Sequence, residues 1–366
     1  MLKRSFGVAA VTAAAALLLA ACSSGSDTAA SEDTAAGAAS GLACVILPDS
    51  ASSPRWENGD RPALKEALEA AGFTTDIQNA EGDTAKMLTI GDQMLASGCN
   101  VMLITDYQGA GAQVAAKAKA QGVPTIAYDR PIEGVDYYVS FDNVTVGTLQ
   151  GEGILKCLAD AGKDPKTAEL IFLDGDPTDG NAAMFAEGYD TALKAAGVEV
   201  DKAKLGAKRP DGSWDGAKAG TNFEQALTAN GGKVDAVVSA NDTNAASAIA
   251  ILDKNKLTVP VSGQDASKEG MSNVLSGKQC MTVFKDYLVE ASTAADLAIA
   301  ILKGETPTTN KQLADGTPFQ AADPQALYAD AASLEGFKQA LDRSGLTAAD
   351  VCTGDAAAKC TEIGLS

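Results

Sequence analysis

The chain contains no histidine. That removes imidazole-based triads, histidine metal ligands and the usual proton shuttle near neutral pH. Positive charge is scarce as well: 29 Lys and Arg stand against 48 Asp and Glu, a formal charge of −19. Such a chain repels phosphate backbones and anionic lipid surfaces, which argues against sequence-independent binding of nucleic acid. Aromatic residues are only 5%, and Trp56 and Trp214 are the two tryptophans, so the placement of those indoles carries unusual weight. After residue 22 no apolar run approaches the roughly 20 residues that a helix needs to cross a bilayer. No cysteine pair has Cys-x-x-Cys spacing, so neither a redox centre nor a zinc site is indicated.

What is present points outward. Lys3 and Arg4, an apolar stretch from Phe6 to Ala21 and then Cys22 make residues 1–21 an export signal. Leu19-Ala20-Ala21-Cys22 resembles the bacterial lipoprotein box, which makes Cys22 the expected lipidation site. Residues 22–40 follow as a linker of Ser, Ala, Gly, Thr, Asp and Glu; a flexible coil of this length spans about 25 Å. Six further cysteines suit an oxidising compartment. Fifteen pairings are open, and free buried thiols are the plainer alternative. Cys44 opens one predicted strand and Cys99 precedes another, so these two are paired first. Cys352 and Cys360 close a short loop, which leaves Cys157 with Cys280.

The whole chain of 366 residues, 46% of them apolar, is long enough for two or three units. From Ala43 it alternates short apolar runs with amphipathic helical patterns, the mark of parallel α/β architecture. Strands are predicted at 44–47, 74–78, 101–105, 125–128 and 137–141. The pattern then restarts, with strands at 169–173, 198–205, 236–239, 259–263 and 281–285. Each half opens on a strand ending in Asp (ILPD, IFLDGD) and later has strands ending in polar turns (LITDY and IAYD; VVSAND and VSGQD). We read this as two doubly wound lobes whose carboxyl strand ends face a shared cleft, where open parallel sheets bind ligands.

At or beyond those ends lie Arg55, Trp56, Asp129, Arg130, Asn181, Phe185, Trp214, Asn241, Asp265 and Lys285. No activated nucleophile is among them. Carboxylates, cations, amides and flat aromatic faces fit a neutral polyol, whose hydroxyls both donate and accept while its C–H faces lie on indole. Taken singly, each has a plainer reading: a surface ion pair for Asp129 and Arg130, core packing for either tryptophan, a helix cap for Asn241 or Asp242. Asp174-Gly-Asp176-Pro-Thr-Asp179-Gly-Asn181 has acidic spacing but lacks the EF-hand donor pattern. Gly147 to Gly153 lacks a nucleotide-binding fingerprint. No metal or cofactor is expected.

The set PRW, AYDR, YYVSFDN, GSW, SAND, SGQDA and MTVFKD, with Asn181 and Phe185, resembles the D-xylose-binding type of sugar-binding protein, type I substrate-binding proteins of ABC importers. The resemblance covers residues 43 to 310. It implies two Rossmann-like lobes joined by three hinge crossovers, near 140–143, 285–286 and 304–311. The lobes then comprise residues 41–141 with about 286–310, and 142–285, leaving 311–366 unassigned. It implies that Arg55, Asp129, Arg130, Asn181, Asn241, Asp265 and Lys285 bind sugar hydroxyls, that Trp56 and Trp214 stack on the ring, and that Phe185 forms an apolar wall. The expected function is non-enzymatic: a monomer exported and lipid-anchored at the outer face of the cytoplasmic membrane, or periplasmic, carrying a monosaccharide, D-xylose first, to ABC permease subunits. The rivals are a multi-sugar or sensory receptor and, more remotely, a glycoside hydrolase.

Overall fold

The computed structural model describes residues 41–365; the export signal, Cys22 and the linker lie outside the described residues. The strands are β1 (Leu42–Leu47), β2 (Thr74–Asn79), β3 (Val101–Ile104), β4 (Thr125–Tyr128), β5 (Tyr137–Phe141), β6 (Leu170–Leu173), β7 (Ala236–Ser239), β8 (Met281–Phe284), β9 (Lys311–Gln312), β10 (Pro318–Ala322) and β11 (Gln325–Tyr328). The first lobe is one sheet in the order β2-β1-β3-β4-β5-β10-β9, parallel except for β9. Its central strands are continuous apolar runs because both faces are covered. In β1, Cys44 and Ile46 pack under helices Thr84–Ala96 and Ala110–Ala120, while Ala43, Val45 and Leu47 pack under Arg61–Ala70 and Tyr287–Leu302. Helix Arg61–Ala70 ends at Gly72 and Thr84–Ala96 at Gly98, with φ of +90° and +85°, the left-handed turn that glycine adopts without strain.

In the second lobe β6 and β7 are parallel, single bridges join Val237 to Val261 and Gln264 to Val283, and β11 lies antiparallel on β8. The predicted strand at 198–205 is not one. Val198 and Val200 flank Glu199 in a strand-like pattern, but the phase breaks at Asp201, which accepts from the main chain of Ala203 and starts a helical turn, Lys202–Leu205. The predicted strand at 259–263 contributes one bridge.

The chain passes between lobes after Phe141, after Phe284, and between Ala322 and Gln325. The third passage comes later than the expected 304–311. Asn310 donates its side-chain amide to the carbonyl of Ala321 at 2.9 Å and accepts from its N–H at 2.8 Å, which holds the segment against β10 until the first sheet is complete. Residues beyond β11 are not a loose tail: Phe337, Leu341, Val351, Cys360 and Ile363 share a core with Met271, Phe284 and Leu327 of the second lobe. Disulfides join Cys44 to Cys99, Cys157 to Cys280 and Cys352 to Cys360.

Candidate functional site

The carboxyl ends of both sets of strands point at one another, and the loops that follow them supply the site. Arg55 and Trp56 follow β1, Asp129 and Arg130 follow β4, and Asn181 and Phe185 sit on the first turns of helix Gly180–Ala195. Trp214 precedes helix Gly216–Ala229, Asn241 follows β7, Asp265 follows the bridge at Gln264, and Lys285 follows β8. All ten line a single cavity between the lobes, together with Ser52, Ser53, Asp179 and Gln264. A wider outer cleft adjoins it and shares Ser52, Arg130, Asp179 and Trp214 with it.

The floor is a buried ionic network. Arg55 donates to Asp60 at 2.7 Å, Asp129 at 3.0 Å and Glu290 at 2.5 Å. Lys285 Nζ lies 3.8 Å from Asp129 and 3.9 Å from Asp265. Burial opposes ionisation of Asp129, but the ammonium of Lys285 and the guanidinium groups of Arg55 and Arg130 outweigh it and hold its carboxyl below the usual range. Burial raises Asp265, against the pull of Lys285 and Arg55. Glu290 is raised to about 8, first by burial and then by Asp129. These ions are fixed in place by one another, so they meet a ligand's hydroxyls already oriented.

The indoles close the sides. Trp56 is buried, stacks under the Arg55 guanidinium at 4.5 Å and donates to Ser52 at 3.1 Å. Trp214 is half-buried, meets Phe185 edge-on at 6.3 Å and donates to Asp179 at 3.1 Å. Its ring rests on Gly175, where a Cβ would lie 2.1 Å from it, so only glycine fits there. Arg130 completes a bridge between the lobes: it donates to Ser52 at 3.3 Å and to the Asp106 carbonyl at 2.8 Å, and forms an ion pair with Asp179 at 3.2 Å.

Two of the expected hydroxyl binders spend much of their capacity on the protein. Asn181 donates to the main-chain oxygen of Asp129 at 2.9 Å and accepts from Tyr138 and Asn143. Asn241 accepts from the Asn244 N–H at 2.9 Å and so caps its helix as well as lining the cavity. Sequence reasoning missed Ser52, Asp179, Gln264 and Glu290. Gln264 was in view inside SGQDA; its Oε1 is buried without a partner among the described residues and is free to accept from a ligand hydroxyl. Asp179 was weighed only as part of an acidic loop.

Two doubly wound lobes, three chain passages between them and polar groups converging from both sides define a protein that closes around a small polar molecule. This chain belongs to the periplasmic binding protein family: residues 44–306 match the model described as periplasmic binding protein domain. The fold is that of type I periplasmic binding proteins, a family of binders and not of enzymes. The chain is 33% identical over 267 residues to the D-xylose-binding periplasmic protein of Escherichia coli strain K12, covering 72% of this chain and 78% of that one. It is 34% identical over 292 residues to a multiple sugar-binding periplasmic protein of Azospirillum brasilense, covering 74% and 80%. Among solved structures it resembles an ABC transporter solute-binding protein of Clostridium phytofermentans with bound β-D-glucose, with a TM-score of 0.72 and 29% identity over 85% of this chain and 99% of that one.

Proposed function

We propose that the protein is the exported substrate-binding component of an ABC importer, capturing one monosaccharide, D-xylose, in the cavity between its lobes. The observation that carries this reading is the convergence of Arg55, Asp129, Asn241, Asp265 and Lys285 with both tryptophans on one cavity. Such a site rejects a ligand lacking a hydroxyl, because a stranded buried partner costs about 1–3 kcal/mol. Lys285 at the second chain passage and Asp129 with Arg130 in the first lobe let the sugar favour the closed form by touching both lobes. The permease recognises surfaces that closure brings into register, and lipidation at Cys22 keeps the body near it. Pentose against hexose turns on one CH₂OH group, worth about 1–3 kcal/mol. Tryptophan fluorescence titrated with xylose, glucose, galactose, arabinose and ribose tests the reading. Xylose is expected to bind at least tenfold tighter than the others. Equal affinity for glucose transfers the protein to the multi-sugar class, and no saturable change with any of them overturns the reading.

A further inference from the structure

The loop that presents Asp265 is held in an unusual backbone shape. Asp265 and Ala266 have φ of +104° and +47°, a region that L-residues enter only at a cost and keep only when neighbours over-determine it. Three consecutive main-chain N–H groups supply that constraint. Asp265 donates to the Val283 carbonyl at 2.9 Å, Ala266 to Thr282 Oγ1 at 3.1 Å and Ser267 to Asp242 Oδ2 at 2.8 Å. The last two anchors are one unit, because Thr282 Oγ1 itself donates to Asp242 Oδ1 at 2.9 Å and Gln279 Nε2 does so at 2.8 Å. The Asp242 main-chain N–H reaches the Gln264 carbonyl at 2.9 Å. Asp242 is 2% exposed and lies outside the cavity wall.

The packing around this carboxylate leaves no slack. A Cβ at Gly263 would lie 2.2 Å from Asp242 Oδ1, and one at Gly270 would lie 2.0 Å from Oδ2. The loop is therefore flanked by two glycines whose bareness makes room for one side chain.

The geometry points to Asp242 as the positioning residue of the second lobe's site: through Ser267 and, with Thr282, Ala266, it holds Asp265 where a ligand hydroxyl meets it. This rests on the sugar-binding reading above. Asp242 touches no ligand; it acts through the loop. Asparagine at 242 still accepts from Ser267 through its oxygen, and its amide faces Thr282 and Gln279, whose Oε1 has no partner among the described residues.

Calorimetric affinity for xylose, measured well below each variant's melting temperature, tests it with Asp242→Ala, Asp242→Asn and Thr282→Val. Asp242→Ala and Thr282→Val are expected to weaken binding at least tenfold while Asp242→Asn stays within about threefold of the parent. A purely structural role would lower the melting temperature of Asp242→Ala and leave the affinity of the folded fraction unchanged, and that result overturns the proposal. Should Asp242→Ala fail to fold, Thr282→Val decides: parental affinity there overturns it too. Absence of binding by the parent protein would instead overturn the sugar reading itself.

Discussion

Asp129 and Asp265 hold the same corner in the two lobes: each donates its main-chain N–H at 2.9 Å to a valine carbonyl on the next strand, Val139 for one and Val283 for the other. Each has positive φ, +63° and +104°, and each turns its carboxylate toward Lys285. The strained corner is what aims a carboxylate off a strand end into the cleft.

Their surroundings differ, and so do the expected consequences of removing them. Asp129 pairs with Arg55 at 3.0 Å and is 4% exposed; Asp129→Ala leaves buried cations short of a partner, a loss of about 3–5 kcal/mol. Asp265 has Lys285 at 3.9 Å as its single ion-pair partner among the described residues, and burial already works against its charge, so Asp265→Ala is expected to cost much less stability than Asp129→Ala. Both variants are expected to lose sugar binding, but only Asp129→Ala should melt markedly early. Calorimetry showing parental affinity for Asp265→Ala would remove that residue from the site.

Arg130 and Asp179 form an ion pair across the cleft, at 3.2 Å with side chains 8% and 7% exposed. Opening the lobes returns both to water, so the pair weighs on the closed form alone. Removing one partner of such a pair acts on dissociation and costs about 2 kcal/mol or more. Asp179→Ala is therefore expected to release ligand at least tenfold faster in stopped-flow fluorescence, with little change in the association rate. A slower association rate at unchanged release would contradict a latch.

The cleft was readable in the chain because its residues sit in compact strings, PRW, AYDR and SGQDA, each at the end of an apolar run. All ten side chains named from those strings and their companions meet at one cavity. Glu290 was invisible for the opposite reason: it lies within the helix Tyr287–Leu302, among alanines and leucines, with no local signal that Arg55, 235 positions earlier, packs against it. Val198 to Leu205 misled because Val198 and Val200 start a strand-like pattern that breaks only at Asp201, where the side chain caps a helical turn. The late return passage and the packed C-terminal segment were hidden because β10 and β11 are short and irregular in pattern, and their pairing with β5 and β8 is set by tertiary contact.

Glu290 makes stability depend on pH. Its carboxyl, fully buried beside Asp129 and Asp60, is raised to about 8. A raised acid stabilises the fold fully below its unfolded value of about 4.3 and loses that contribution as pH climbs through the folded value. Stability should thus decline between about pH 4.3 and the folded value near 8. Asp242, raised to about 7 by burial, adds a slope of the same sign. Glu290→Gln mimics the neutral acid and is expected to flatten a melting-temperature profile between about pH 5 and 8. An unchanged slope across that window would place the titration elsewhere.

The three disulfides are expected to differ in weight because they close chain segments of different length. The separations are 123 residues for Cys157–Cys280, 55 for Cys44–Cys99 and 8 for Cys352–Cys360. If restriction of the unfolded chain dominates, the contributions are about 5, 4 and 2.5 kcal/mol in that order. The longest link also ties helix Asn143–Asp160 to the start of β8, so it spans nearly the whole second lobe. Paired serine variants unfolded in urea should rank the same way in midpoint. Sugar affinity should survive all three replacements at low temperature, because none of these six cysteines lines the cavity. If the 352/360 pair proved the most costly, native packing of the C-terminal segment, and not chain entropy, would govern the order.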